Sequence, residues 1–172
     1  MIQQLLQRLS NSAMKNLFSL LLLVVASATA SAQGSPQLRT SDPFIQRQVD
    51  SLKAQYAKES FIPVKESAMA MESGYEQGII VPLTAGTWYR IIFIGEMTSK
   101  LYEVRMFDWS EKQVAYQKKQ WGEIDGNIID YSYIPKITEY HMIKPLQMNK
   151  KKKGNLSGYI MLFKKVQAPA AK

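Results

Sequence analysis

The sequence predicts a mainly β protein, an antiparallel sandwich of two sheets with roughly eight strands, preceded by one amphipathic helix. Helical periodicity occurs only over residues 42–60 of the predicted mature part. From residue 61 onward, short apolar runs alternate with polar or Gly- and Pro-containing breaks, at the spacing typical of sandwiches and barrels. The breaks are too short for the crossover helices of a parallel sheet, so the sheets should be antiparallel.

The helix is predicted from its first residues and from its apolar stripe. Asp42 is a suitable N-cap, and Pro43 suits the first helical position, where a missing N–H is harmless. Four apolar side chains then recur at helical spacing: Ile45, Val49, Leu52 and Tyr56. A stripe of this kind should pack on another element of the protein.

The predicted strands cover residues 61–71, 79–83, 87–94, 101–107, 113–118, 127–133, 137–144 and 157–164. "LYEVRMF" alternates between apolar and charged residues, and its neighbour "QVAYQK" is expected to place Val114 and Tyr116 on one face. "WYRIIFI" and "GYIMLF" are apolar on both faces and need cover on both sides. We therefore expect the helix to pack on the outside of the sheet that contains 87–94 and 157–164.

The N-terminal stretch "MKNLFSLLLLVVASATASAQ" predicts a secretory signal peptide over residues 1–32. Lys15 provides the positive region, residues 17–25 the apolar region, and Ala30-Ser31-Ala32 the cleavage pattern before Gln33. The start at Met1 or Met14 is left open. A membrane anchor is disfavoured because the apolar run is shorter than the roughly 20 residues that cross a bilayer. We expect a periplasmic or secreted protein, with a flexible leader (33–41), a sandwich (61–165) and a disordered tail (166–172).

The chain has no cysteine, which excludes both disulfides and lipid anchoring through a cysteine. Its net charge is +8, and loss of Arg8 and Lys15 with the signal peptide leaves 20 basic and 14 acidic residues, or +6. For an exported protein, this balance favours anionic lipids, acidic glycans or acidic protein surfaces as partners. Nucleic acid is not expected, because export removes the usual partner.

Four segments together resemble the bacterial pre-peptidase C-terminal domain: "PLTAGTWYRIIFIG", "LYEVRMFDWSEKQVAYQ", "IIDYSYIPKITEYHMIKPL" and "GYIMLFKK". Gly86, Tyr89, Asp108 and Tyr159 match as structural positions. The resemblance implies a jelly-roll-like sandwich of the kind appended to secreted bacterial enzymes. In this chain a helix stands where a catalytic domain would precede the sandwich. Glu103-Val104-Arg105 replaces the acidic positions of the third strand, which argues against a calcium role.

The lysine run has two interpretations, and its members are Lys150, Lys151, Lys152 and Lys153. As a hairpin tip between residues 137–144 and 157–164, it would keep charge in water and protect sticky strands from aggregation. As a site, the four lysines would contact an anionic partner. The pattern favours the hairpin, because charge runs are most often simply solvated.

The aromatic side chains offer the best candidate ligand site. Trp109 and Trp121 fall in predicted turns, where packing seldom requires large rings, and Tyr131 and Tyr133 lie close in sequence to another turn. Exposed rings of this kind stack on sugars or anchor a protein partner. Alternatively, they fold back and cap the ends of the sandwich.

Catalytic and metal sites are not predicted, and no cofactor is expected. The carboxylate pairs Glu123/Asp125 and Asp108/Glu111 have no base or metal set beside them, and Asp125-Gly126-Asn127 lacks the spacing of a calcium loop. His141 is the only histidine and is expected at the surface or at a sheet edge. A triad with Ser132 or Ser157 lacks a nucleophile elbow.

Three functions follow, in order. The first is a non-enzymatic exported module that binds a protein or a cell-envelope component. The second is a carbohydrate-binding module that uses Trp109 and Trp121. The third is a hydrolase with a loop carboxylate pair.

Overall fold

The computed structural model describes residues 42–120, 126–150 and 154–166, which form one helix and eight strands. The helix is α1 (Pro43–Lys58). The strands are β1 (Phe61–Glu72), β2 (Ile79–Leu83), β3 (Tyr89–Gly95), β4 (Ser99–Phe107), β5 (Gln113–Gln120), β6 (Ile128–Tyr133), β7 (Glu139–Asn149) and β8 (Asn155–Lys165). No helix within these residues is both long and apolar enough to pass through a membrane.

The strands form two four-stranded antiparallel sheets, which confirms the predicted sandwich. The first sheet has the order β1-β8-β3-β6, and the second has the order β2-β7-β4-β5. The pairs β1–β8, β2–β7, β3–β6 and β4–β5 are nested, as in a long hairpin rolled over on itself. This arrangement is a jelly roll, in which consecutive strands change sheet except at the β4–β5 hairpin.

The predicted hairpin around the lysine run is wrong. β7 pairs with β2 and β4 in the second sheet, whereas β8 pairs with β1 and β3 in the first. The connection that contains the lysines therefore joins the two sheets. Local sequence cannot reveal this, because two strands joined by a short polar segment suit either a hairpin or a change of sheet.

The main core lies between the sheets and comes from the inward side chains of both. β4 contributes Tyr102, Val104 and Met106, as its alternation predicts, and they meet Ile91 and Phe93 of β3. All five side chains are at most 1% exposed. Burial of this kind stabilises a chain without disulfides by roughly 1.5–3 kcal/mol for each large apolar side chain.

α1 covers the outer side of the first sheet, as predicted. Asp42 caps it, because its Oδ1 accepts hydrogen bonds from the backbone N–H groups of Phe44 (2.8 Å) and Ile45 (3.3 Å). The predicted stripe then packs on β1, β3 and β8 to form a second core. The buried members of this second core are Ile45, Val49, Tyr56, Phe61, Ile92, Ile94, Tyr159, Met161 and Phe163.

Polar contacts attach α1 to the sheet near its centre and its C-terminal end. Lys53 Nζ lies 2.6 Å from Glu66, which also accepts a hydrogen bond from the Tyr159 hydroxyl (2.7 Å). The Tyr56 hydroxyl donates to Asp130, and Asp130 is paired with Arg90 at 2.9 Å. The orientation of the helix is therefore set by directional contacts as well as by apolar packing.

The predicted common face of Val114 and Tyr116 is also wrong. A register shift between Met106 and Phe107 places Ala115 opposite Met106 and Tyr116 opposite Arg105. Val114 and Ala115 both pack against the core, while Tyr116 is 44% exposed beside the Arg105 guanidinium. A bulge puts two residues of one strand against one of the other, so simple alternation fails there.

Several predicted features lie outside the described residues. In the lysine run these are Lys151, Lys152 and Lys153, so the structure places only Lys150 of the four. The others are the signal peptide (1–32), the leader (33–41), the last residues of the tail (167–172), Trp121, Glu123 and Asp125.

Candidate binding surface

The outer sides of the two sheets differ in their cover. α1 contacts β1, β3 and β8 of the first sheet. The described ranges hold no second helix to cover the other sheet. We call the outward side of the second sheet, together with the β4–β5 turn, the open face. Its most exposed large side chains are Trp109 (70%), Ile80 (56%) and Tyr140 (53%).

Trp109 and Tyr140 form an aromatic pair at one end of the open face. Their ring centroids are 5.9 Å apart, and the rings are tilted by 50°. Trp109 is held out by its turn, in which Asp108 Oδ1 accepts hydrogen bonds from the N–H groups of Ser110 (3.0 Å) and Lys112 (2.9 Å). The turn therefore presents the indole to solvent and does not fold it back as a cap.

Apolar side chains continue from the aromatic pair across three strands. Pro82 of β2 lies opposite Tyr140, and Ile80 lies opposite Met142 of β7. Met142 in turn faces Phe107 of β4. The result is an apolar area on the outside of the sandwich, next to two exposed rings. Contiguous apolar areas on a protein surface commonly mark interaction sites, whereas single exposed apolar residues do not.

A network of charged side chains follows on the same face. Arg105 binds Glu76 and Glu103 at 2.8 Å each, Lys144 lies 3.6 Å from Glu76, and Lys118 lies 3.9 Å from Glu103. The Arg105 guanidinium also lies 5.8 Å from the Tyr116 ring. Both carboxylates are thus engaged mainly with Arg105.

A pocket of about 320 Å³ lies at the end of the open face that is remote from Trp109. Three of its lining residues are lysines, namely Lys100, Lys118 and Lys150. Lys150 belongs to the run that sequence analysis identified, and it is exposed. The other two lysines come from β4 and β5 and were missed, because no local pattern shows that these strands end beside Lys150.

The two candidate tyrosines do not reach the open face. Tyr131 is only 8% exposed and lies in the main core, where burial raises the pKa of its hydroxyl. Tyr133 is half-buried, and burial and then the nearby Glu139 and Asp108 raise its pKa. Its hydroxyl lies 3.2 Å from His141 Nε2. Neither ring is presented for stacking on a ligand.

The expected surface position of His141 is wrong. It is 1% exposed, because β7 is an inner strand of its sheet and residues 141, 143, 145 and 147 all point inward. Its ring contacts Tyr133, and Ser132 is instead hydrogen-bonded to Arg90 (2.9 Å). His141 therefore does not form a catalytic pair with Ser132.

Two residues of the considered carboxylate and calcium sites, Asp108 and Asn127, serve the fold. Asp108 closes the β4–β5 turn, and Asn127 is buried, where it exchanges hydrogen bonds with Gln48 (3.2 and 2.8 Å). Within residues 42–120, 126–150 and 154–166, no cluster of three or more Asp, Glu, His or Cys is arranged to hold a metal ion.

Tyr140 is the member of the aromatic pair that sequence analysis missed. β7 carries apolar residues at both odd and even positions, so alternation alone does not identify its outward side. The inward set is recognisable only from the register, which pairs His141 with Val81 and Ile143 with Met106, both in the main core.

No family model matches the chain, and no curated protein matches it in sequence. The resemblance to pre-peptidase C-terminal domains therefore stays a prediction. Solved structures that align with the chain include an arabinose-bound α-L-arabinofuranosidase, MgGH51 (TM-score 0.35, 9% identity, 74% of this chain and 25% of that one). A second is the carbohydrate-binding module TmCBM61 in complex with β-1,4-galactotriose (TM-score 0.36, 14% identity, 63% of this chain and 84% of that one). A third is Tomato aspermy virus (TM-score 0.31, 9% identity, 73% of this chain and 98% of that one).

The chain spans only a quarter of the arabinofuranosidase. Alignments with TM-scores this low give no basis for assigning a ligand or an activity.

Proposed function

We propose that this chain is an exported, non-enzymatic binding module that uses the open face to bind a protein of the cell envelope. The observation that supports this proposal is the unequal cover of the two sheets. α1 buries the outer side of the first sheet, while the second leaves Trp109, Tyr140 and Ile80 more than half exposed. Exposing such side chains to water gains nothing for the folded monomer, and a partner would bury them.

The composition of the open face favours a protein partner. The fully buried centres of protein interfaces are enriched in aromatic residues, Met and Arg. The open face combines Trp109 and Tyr140 with Met142. Arg105, which is paired with Glu76 and Glu103, lies in the charged network on the same face. Large exposed aromatic residues are also the usual anchors of such interfaces.

A glycan is the competing ligand, because two exposed rings can also stack on sugars. Sugar sites additionally need polar groups placed to receive hydroxyls. The carboxylate beside Trp109, that of Asp108, already accepts two backbone hydrogen bonds within its turn. The side chains opposite and beside Tyr140 on the sheet are Pro82 and Met142, which offer no strong hydrogen-bonding group.

The test is site-specific photo-crosslinking in the native host. A photoreactive residue replaces Tyr140 in one version and Phe44 in the other, since Phe44 is also exposed (39%) but lies on α1. We expect a discrete cross-linked protein from position 140 only. Trp109→Ala should weaken that complex roughly thirtyfold, the effect of an aromatic anchor worth about 2 kcal/mol.

Two results would contradict the proposal. One is equal cross-linking from positions 44 and 140. The other is binding to a glycan array that disappears in both Trp109→Ala and Tyr140→Ala without any protein cross-link, which would favour the carbohydrate-binding function. Unchanged melting temperatures of the two variants would show that either loss concerns binding and not folding.

A further inference from the structure

The basic pocket at the far end of the second sheet is assembled by strand register. Leu101 lies opposite Gln120 on β5 and opposite Met148 on β7. A register shift between Ser99 and Leu101 inserts Lys100 beside Leu101, since a bulge sets two residues of one strand against one of its neighbour. Three strands thereby bring Lys100, Lys118 and Lys150 around one cavity of about 320 Å³.

Within residues 42–120, 126–150 and 154–166, acidic side chains do not balance the charge of this pocket. Lys118 has one carboxylate in reach, Glu103, at 3.9 Å, and Glu103 is already bound by Arg105 at 2.8 Å. Among the residues that the structure describes, neither Lys100 nor Lys150 forms an ion pair. The acidic residues on this face lie instead beside Arg105 and Lys144, so positive charge remains at the pocket.

The lining has a second chemical character, because Leu101 and Met148 give the pocket an apolar component. A ligand that fits both features carries a compact anion with several oxygen atoms next to carbon. Ammonium groups bind phosphate as point charges, and three of them around one cavity can each contact a different phosphate oxygen. The nearby Arg105 is already engaged by two carboxylates.

We infer that the pocket formed by Lys100, Lys118 and Lys150 over Leu101 and Met148 is a binding site for a phosphate ester. The lysines hold the phosphate oxygens, and the apolar side chains contact the esterified carbon. The site lies about six residues of β4, or roughly 20 Å, from the aromatic pair, and it does not depend on the protein partner proposed above. The rest of the lysine run, residues 151–153, lies outside the described residues and is not part of the inference.

The same chemistry can come from a soluble molecule or from a lipid headgroup, so the experiment uses both. Glycerol 1-phosphate is titrated into the isotope-labelled protein and followed by NMR. In parallel, the protein is co-sedimented with phosphatidylcholine vesicles that contain or lack phosphatidylglycerol. We expect saturable shifts at Leu101, Lys118 and Met148, or sedimentation that requires phosphatidylglycerol. The first would identify a soluble source and the second a membrane source.

Charge reversal at the pocket provides the decisive variant. Lys100→Glu with Lys150→Glu should weaken binding by roughly twenty-fivefold or more, since each lysine contributes about fivefold near an anionic surface and reversal adds repulsion. The matched control is Lys65→Glu with Lys164→Glu, the same change in net charge on exposed positions of the first sheet. This control should change affinity by no more than about twofold.

Three outcomes would overturn the inference: no binding in either assay, equal loss in both double variants, or shifts that map away from β4, β5 and β7. Trp109→Ala with Tyr140→Ala should retain phosphate binding. Absence of a cross-linked protein from position 140 of the parent chain would therefore count against the open face alone, and absence of phosphate binding to the parent chain would count against the pocket alone.

Discussion

Gly95 shows how a single position can limit the packing of the whole sandwich. A Cβ atom at this position would lie 2.6 Å from the ring of Tyr102 and 2.9 Å from Gln147 Oε1. Both neighbours are held in place. The Tyr102 hydroxyl donates to the Glu96 carbonyl (2.8 Å), and Gln147 Oε1 accepts from the Glu96 N–H (2.9 Å). The close approach of β3 to these side chains therefore requires glycine.

Gly95→Ala should lower the free energy of unfolding by about 1–3 kcal/mol, the usual cost of forcing atoms into a filled core. Urea denaturation measures the change. Gly78→Ala is the control, because its added Cβ would meet Met142 at an ordinary 3.6 Å. Equal transition midpoints for the two variants would show that the Gly95 site can relax.

At the scale of elements, α1 acts as the outer layer of the first sheet. Ile45 and Val49 are fully buried against Ile92, Ile94 and Met161, on the side of the first sheet that α1 covers. Without the helix, this side of the first sheet would be an apolar surface open to water. α1 is thus part of the sandwich core and not an appendage.

Ile45→Ala should destabilise the protein by about 2–5 kcal/mol, because it leaves a cavity between helix and sheet. The free energy of unfolding from urea titration tests this, with exposed Gln55→Ala as the control, expected to lie within about 0.5 kcal/mol of the parent chain. A loss for Ile45→Ala no larger than that of the control would mean that the helix packs loosely.

Elements were predictable because their signals are local. The α1 stripe and its Asp42 cap lie within one short segment, and most strand ends fall within two residues of their predicted positions. The two-sided apolar character of β3 and β8 also revealed which sheet the helix covers. β7 extends to Asn149, further than expected, because Gln147 and Asn149 are polar residues whose backbone still pairs with β4.

At the scale of the whole molecule, the contacts that define the binding surfaces are non-local. Trp109 of the β4–β5 turn meets Tyr140 of β7, and Lys100 at the start of β4 lines the same pocket as Lys150 after the end of β7. Neither pairing can be read from a window of sequence. For the same reason, the burial of His141 and Tyr131 became clear only from strand pairing, which sets His141 opposite Val81 and Tyr131 opposite Ile91, both in the main core.

Buried tyrosines make the fold sensitive to alkali. Burial, together with the hydrogen bond to Asp130, raises the pKa of Tyr56 to about 12 from its ordinary value of 10.0, and burial raises that of Tyr102 to about 12. The folded state therefore keeps these protons at pH values where the unfolded state releases them. Their contribution to stability is complete below pH 10 and is lost as pH rises from 10 to 12.

The free energy of unfolding, measured by urea titration across this range, should therefore fall as pH rises. In Tyr56→Phe the fall should be shallower, because that side chain has no proton to release, whereas exposed Tyr75→Phe should follow the parent chain. Parallel curves for Tyr56→Phe and the parent would refute the role of Tyr56.

The pairing of the first strand with the last has a consequence for synthesis. Phe61 is paired with Lys165, and β8 lies between β1 and β3. The strand β1 therefore has no hydrogen-bonding partner, and β3 lacks one of its two, until β8 has left the ribosome. The second sheet likewise waits for β7 to join β2 to β4. A nascent chain stopped before Glu139 can form only the β4–β5 hairpin and the β3–β6 pair of the native ladders. High contact order of this kind slows folding.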